Sequence, residues 1–268
     1  VVRAGVGRPL LNWREIALCS DLLVTLAGRD IRVRYKQTTV GILWVVLQPL
    51  IAALIFTFVF GLVARMPDDG RPYILVAFSG LLAWNTFAGV LQRSSFALVS
   101  NAHLVTKVYF PREVLPLSTI VSTLIDFAVG MAVMIAMLAS FGLWPGPGIL
   151  LLPVWLVILV VQALGLGLAA GALMVRYRDI QHIIPVLLTL GLYASPVAWT
   201  ATAIPGAYRL ACALNPLSGP IEAFRWSLLG VGKLDGPALA YSVVMASLAL
   251  WVGAATFRRT ERRFADVL

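Results

Sequence analysis

Histidine occurs twice, at 103 and 182, and Asp and Glu together number 12, so the raw material for acid–base chemistry is thin. The sequence contains no H-E-x-x-H pair, no two carboxylates within one apolar run and no G-x-S-x-G elbow. A G-x-x-x-x-G-K-[ST] phosphate loop is also missing, so this chain does not bind ATP in that manner, and if its process needs ATP another polypeptide supplies it. Cys19 and Cys212 are the only cysteines and have no metal-site spacing. These residue types argue against an enzyme and against a resident metal or cofactor. The residues that do cluster are cations: in RDIRVRYKQTTVGILWVVLQPL, Arg29, Arg32, Arg34 and Lys36 surround Asp30, and 28 uncharged residues then separate Lys36 from Arg65.

Composition explains that abrupt change. Apolar residues make up 60% of the 268, charged residues 12%, and the mean hydropathy is +0.91. A soluble domain carries roughly 25% charged residues, so this is an integral membrane protein. The net charge of +9 does not indicate nucleic acid, because the cations sit between apolar runs, where they set topology. No cleavable signal peptide is evident, since Asp21 interrupts the apolar stretch 16–27.

A helix needs about 20 apolar residues to cross the hydrocarbon. Six spans are predicted near 40–64, 72–91, 114–141, 149–175, 181–200 and 237–257, giving an all-α fold. Of the 21 Lys and Arg residues, 16 fall in the N-terminal segment, 92–113, 176–179 and the tail, and five on the other side. The excess predicts both termini in the cytoplasm. Cys19 and Cys212 then lie on opposite sides, which excludes a disulfide within one chain. Residues 1–38 form a cytoplasmic N-terminal segment, and 39–268 the six-span domain with a cytoplasmic tail at 258–268.

Trp13, Ile16, Ala17, Leu23, Leu26 and Ala27 recur at helical spacing among charges. They suit an amphipathic helix at the membrane interface, or a cytosolic helix packed on the protein itself. The segment NAHLVTKVYFPRE offers Leu104, Val105, Val108 and Tyr109 as an apolar face with Lys107 and Arg112 as charges. It fits a docking helix for a partner or an interfacial loop. The stretch 196–236 is apolar yet broken by Pro196, Pro205, Pro216 and Pro220. Broken backbone at membrane depth needs protein or water around it, so a re-entrant pair of short helices or a compact cap is expected. Asp126, inside span three, is a conduit residue or a packing residue bonded to Ser122 or Thr123. Gly167-x-x-x-Gly171 permits close helix contact, within the chain or at a dimer seam.

Several segments together resemble the permease subunits of type-2 ABC exporters, in the O-antigen and teichoic-acid (Wzm-like) class: RDIRVRYKQTTVGILWVVLQPL, NAHLVTKVYFPREVLPLS, VRYRDIQHIIPVLL, SPVAWT, LNPLSGPIEAFRWSLLG and RRFADVL. They cover the chain from residue 29 onward. The resemblance implies a homodimer in the inner membrane with two copies of an ATP-binding subunit, which hold the ATP and Mg. It implies that 11–36 is an interface helix. It implies a coupling segment, 96–112, with contacts at Asn101, His103, Leu104, Lys107, Tyr109 and Arg112. Region 196–236 would close the exit, and the substrate would be a polysaccharide on an undecaprenyl-pyrophosphate carrier. Aromatic rings stack on sugar faces, which makes Trp44, Phe56, Tyr193 and Trp199 candidates for the substrate path. Arg29, Arg32 and Arg34 can attract the pyrophosphate, or serve topology and lipid contact. Rival readings are a drug or lipid permease, and a membrane enzyme acting on lipid-linked sugars. The enzyme lacks an acid, base or metal cluster to support it.

Overall fold

A computed structural model describes residues 18–36, 41–67, 70–108, 110–200, 212–232 and 234–261. Every element among them is helical: α1 (Ser20–Lys36), α2 (Gly41–Phe56), α3 (Tyr73–Ser100), α4 (Ala102–Lys107), α5 (Val114–Ser140), α6 (Leu152–Arg176), α7 (Ile180–Ala194), α8 (Ser218–Leu229) and α9 (Gly236–Glu261). A π-helical turn, Thr57–Val63, continues α2, and a 3-10 turn, Pro147–Leu151, leads into α6. In lipid only internally bonded backbone survives, which is why apolar runs of this length become helices.

Among the described residues five stretches are long and apolar enough to cross a membrane: Leu43–Val63, Tyr73–Ser100, Val114–Ser140, Pro147–Arg176 and Gly236–Glu261. The stretch predicted as a fifth span over 181–200 differs, because its helix α7 stops at Ala194 after 15 residues. That is about 22 Å of helix against roughly 30 Å of hydrocarbon. Pro196 is the cause: the residue before a proline is driven out of the helical region, and Ser195 has φ −103° and ψ 154°. The span predicted at 72–91 instead continues to Ser100. Arg93 does not end it because its charge is neutralised within the bundle.

Helix α3 forms the central column. Its apolar window is 72% buried, whereas that of Leu43–Val63 is 11% buried. It packs against α2, α5, α6 and α8. Helix α6 lies between α3 and α9 at backbone distance. A Cβ on Gly167 would stand 1.8 Å from Ser94 Oγ, and one on Gly253 would stand 2.0 Å from the Gly165 carbonyl oxygen. Gly171 likewise abuts the Ser95 backbone. The glycine motif therefore makes a seam within the chain, where small residues let helices gain dispersion contacts that lipid would otherwise supply.

The bundle has two distinct ends. One gathers α1, α4, the starts of α5 and α7, and the ends of α6 and α9, with Arg112 bonded to the Glu261 carbonyl; this is the basic end. The far end carries the start of α3, the 3-10 turn, α8 and the start of α9. Helix α1 turns Leu26 and Ala27 inward and packs on α5 and α2. It leaves Val24 and Val33 exposed, so it is both packed on the protein and apolar on its outer side. Residues 13, 16 and 17 of the expected amphipathic pattern lie outside the described residues.

Candidate functional site

Two polar constructions stand out in an otherwise apolar bundle. The first is a cleft of ≈ 760 Å³ at the basic end, between α1, α3 and α5. Helix α3 carries Arg93 into it and α5 carries Ser122, Thr123 and Asp126. Arg93 Nη1 donates to Thr123 Oγ1 at 3.0 Å and to Ser122 Oγ at 3.5 Å, and Nη2 pairs with Asp126 Oδ2. Both partners are mostly withdrawn from solvent, with side chains 23% and 17% exposed. Asp126 is thus a packing residue, and its decisive partner is a cation from another span. A lone charge at that depth costs about 2.5–3.5 kcal/mol on insertion scales, and the pair offsets this for both.

At the mouth of the cleft, Arg29 on α1 donates to Asp30 Oδ1 through Nε at 3.2 Å and Nη2 at 2.9 Å. The same Nη2 donates to Asn101 Oδ1 at 2.7 Å, and Asn101 Nδ2 donates to the Ala97 carbonyl at 2.9 Å. Asn101 therefore pins α1 to the end of α3. It is buried, so it turns away from any docking face.

The remaining predicted coupling residues are divided. His103 and Lys107 are exposed, as are Thr106 and Val108. Leu104 is half-buried against the core, and Val105 is buried, so Val105 does not form part of an exposed apolar face. Arg112 is half-buried and occupied with the Glu261 carbonyl. Tyr109 lies outside the described residues. A six-residue helix after the break at Asn101 has one exposed side, and that side is polar except for Val108.

The predicted path aromatics are not brought together. Trp44 on α2 and Tyr193 on α7 are exposed. Phe56 is buried and meets Phe60 edge to face at 5.6 Å, so it faces its own chain rather than open space. Trp199 is half-buried. No ring contact joins any two of these four among the described residues. Arg32 is exposed, and Arg34 belongs to α1 with its side chain outside the described residues.

The second construction is at the far end. Residues 195–200 form a non-helical strap across the first turns of α3. Arg225 on α8, only 1% exposed, satisfies it: Nη2 donates to the Pro196 and Val197 carbonyls at 2.9 Å each, and Nη1 to the Trp199 carbonyl at 3.2 Å and Glu222 Oε1 at 3.3 Å. Tyr73 O–H donates to the Ala198 carbonyl. Asn215 Nδ2 donates to Ser195 Oγ at 2.9 Å, and Trp155 Nε1 to Ser227 Oγ at 2.9 Å, tying α8 to α6. Arg225 and Arg93 both entered the sequence count as topological charges, one on each side; both are internal. The local signal for Arg225 was its place in an apolar, proline-rich stretch with Glu222 one turn before it. Cys212 lies nearby, and burial first, then the Glu222 carboxylate, push its thiol pKa up. Among the described residues no group of three or more His, Cys, Asp or Glu could hold a metal.

Residues 21–229, a stretch that takes in the cleft, the strap and α8, match the ABC-2 type transporter family. The chain belongs to that family. As an ABC-2 permease it is a transport subunit without an ATP site of its own. It is 30% identical over 255 residues to the O-antigen export system permease protein RfbA of Myxococcus xanthus, covering 94% of this chain and 97% of that one. A protein of the same description from Klebsiella pneumoniae is 30% identical over 249 residues, covering 92% and 95%. The polysialic acid transport protein KpsM of Escherichia coli is 27% identical over 240 residues, covering 87% and 91%.

Proposed function

We propose that this chain is the membrane permease of an ATP-driven exporter that carries O-antigen or a related cell-surface polysaccharide across the inner membrane. The observation that carries the reading is similarity along nearly the whole length of both chains to O-antigen export permeases. The strap, the cleft and both ends of the bundle fall inside that similarity.

In this reading the chain crosses six times. Helix α7 leaves the basic end and its strap reaches Tyr73 at the far end, so helix plus strap traverse the depth that α7 alone does not. Six crossings keep both basic termini in the cytoplasm. Arg93 and Arg225 drop out of the charge count, one from each side, and the cationic excess stays at the basic end. Helix α8 and the strap then form the re-entrant region at the exit. Arg225 supports this, because it supplies donors to carbonyls that no helix serves.

One bundle of this size cannot enclose a hydrated polymer, which favours two copies around a shared path, each with an ATP-binding partner. Trp44 and Tyr193, exposed on spans one and five, are the aromatics free to line that path. His103, Lys107 and Val108 are the surface that meets the ATPase, and Asn101, Leu104 and Arg112 hold that surface in place. Arg29 is committed to Asp30 and Asn101, so Arg32, with Arg34 beside it in sequence, is left to attract the carrier's pyrophosphate. Deleting the gene and analysing lipid-linked glycan tests the proposal. Full-length polymer should accumulate on the cytosolic leaflet, and unchanged surface polysaccharide would overturn it.

A further inference from the structure

The cleft at the basic end is charge-balanced, and that restricts what it can hold. Two guanidiniums, Arg29 and Arg93, line it together with two carboxylates, Asp30 and Asp126. Arg29 spends Nε and Nη2 on its bonds, and Asp30 spends only Oδ1. Arg29 Nη1 and Asp30 Oδ2 make no bond among the described residues, so the mouth presents a cationic donor beside an anionic acceptor. Its remaining lining is mixed: Ile31, Val33, Phe96 and Leu115 are apolar, and Ser100 and His103 are polar.

Each class of ligand meets a different fate here. A doubly charged anion such as a pyrophosphate would bring unbalanced negative charge into a cleft whose two guanidiniums are already paired with two carboxylates, and desolvated like charges repel strongly. A bare cation would meet two guanidiniums. A fully apolar molecule would strand the donors and acceptors. A group carrying both signs a few ångströms apart meets complementary charge at each end.

The location selects the source. Arg93 lies seven residues before Ser100, the end of α3, about 10 Å along the helix. The interfacial layer of a bilayer is roughly 5–8 Å deep on each side. The cleft therefore runs from headgroup depth into the upper hydrocarbon, beside an α1 that keeps apolar residues exposed. Its volume of ≈ 760 Å³ falls within the roughly 300–1,000 Å³ of small-molecule sites.

We propose that the cleft between α1, α3 and α5 binds one bilayer phospholipid whose head joins a phosphate to a primary amine, with the phosphate on Arg29 and the ammonium on Asp30. The glycerol region lies against Ile31, Val33 and Phe96. A resident lipid there wedges the interface helix against spans two and three. The inference needs only that the chain is a membrane permease and is independent of which polymer is exported.

Native mass spectrometry of the purified full chain from nanodiscs of equal phosphatidylethanolamine and phosphatidylglycerol tests it. The chain should retain phosphatidylethanolamine in preference, at one molecule per protomer. Asp30→Asn, close to isosteric, should lower that retention about tenfold, the size of one lost charge-assisted contact, and Arg178→Gln, exposed and outside the cleft, should not. Equal retention of both lipids by the unmodified chain overturns the proposal without recourse to any variant. Preference for an isoprenoid pyrophosphate over phosphatidylethanolamine also overturns it and makes the cleft a substrate site. Displacement by soluble phosphoethanolamine at matched concentration would show that the head alone is recognised and overturn the lipid as source.

Discussion

Arg225 Nη2 lies 2.9 Å from the Val197 carbonyl oxygen, and Gly80 lies beneath that contact. A Cβ at position 80 would come within 2.2 Å of the same oxygen and 2.8 Å of Arg225 Nη2. Helix α3, the strap and α8 therefore meet at one point with no room for a methyl group. Arg225→Met would leave several buried carbonyls without their donor, at a cost of about 3 kcal/mol or more. Gly80→Ala would push the strap off α3, at about 1–3 kcal/mol. Thermal unfolding of the purified permease in detergent should show a lower Tm for both, and an unchanged Tm for Arg225→Met would remove the clamp.

The Arg93–Asp126 pair predicts non-additivity. Arg93→Met or Asp126→Leu alone strands a charge at membrane depth and should lower the expression level and Tm sharply. The double variant should recover most of the loss, because apolar replacement of a buried pair is often neutral. A coupling of about 1–3 kcal/mol is expected from the double-mutant cycle. Strictly additive losses would show that the two side chains do not depend on each other.

The proposed coupling surface separates fold from function. Val105 is 4% exposed, so Val105→Asp should deplete the permease from the membrane. Lys107→Glu and Val108→Asp change exposed positions and should leave its level intact. They should reduce co-purification of the ATPase and surface polysaccharide, by about tenfold if one interface hot spot is lost. Normal export by both exposed variants would move the docking surface elsewhere.

The two free cysteines report topology without added residues. Cys19 precedes α1 and Cys212 lies beside α8. A membrane-impermeant maleimide should reach Cys19 only from the cytosolic side and Cys212 only from outside. The raised thiol pKa of Cys212 lowers its reactive thiolate fraction at pH 7. Its labelling rate should therefore climb about tenfold per pH unit until the raised pKa is reached. Labelling of both from one side would reverse the proposed orientation of one end.

How the chain divides between legible and hidden follows from the range of each interaction. Hydropathy is local, so the membrane class, the helical fold and four of the six predicted spans could be read along the sequence and appear near their expected ends. The glycine seam of α6 was also visible as a spacing, although its partners Ser94 and Gly165 were not. The second and fifth spans were misjudged at one end for opposite reasons. Arg93 looked like a terminator, yet Asp126, far away in sequence, neutralises it. Pro196 lies inside the stretch predicted as the fifth span, and it ends α7 at Ala194.

By itself the sequence determined a polytopic helical permease without a phosphate loop, with the motifs of its family and its cations massed on one side. Only the tertiary structure decided which charges serve topology and which are internal, because Arg93 carries no local mark of Asp126 and Arg225 none of the carbonyls it serves. An arginine beside a membrane looks the same in one dimension whether it faces phosphate headgroups or three carbonyls of its own chain. The cost of leaving a charge or a carbonyl unpaired in an apolar bundle is what selects the partner, and that partner is brought near only when the spans pack.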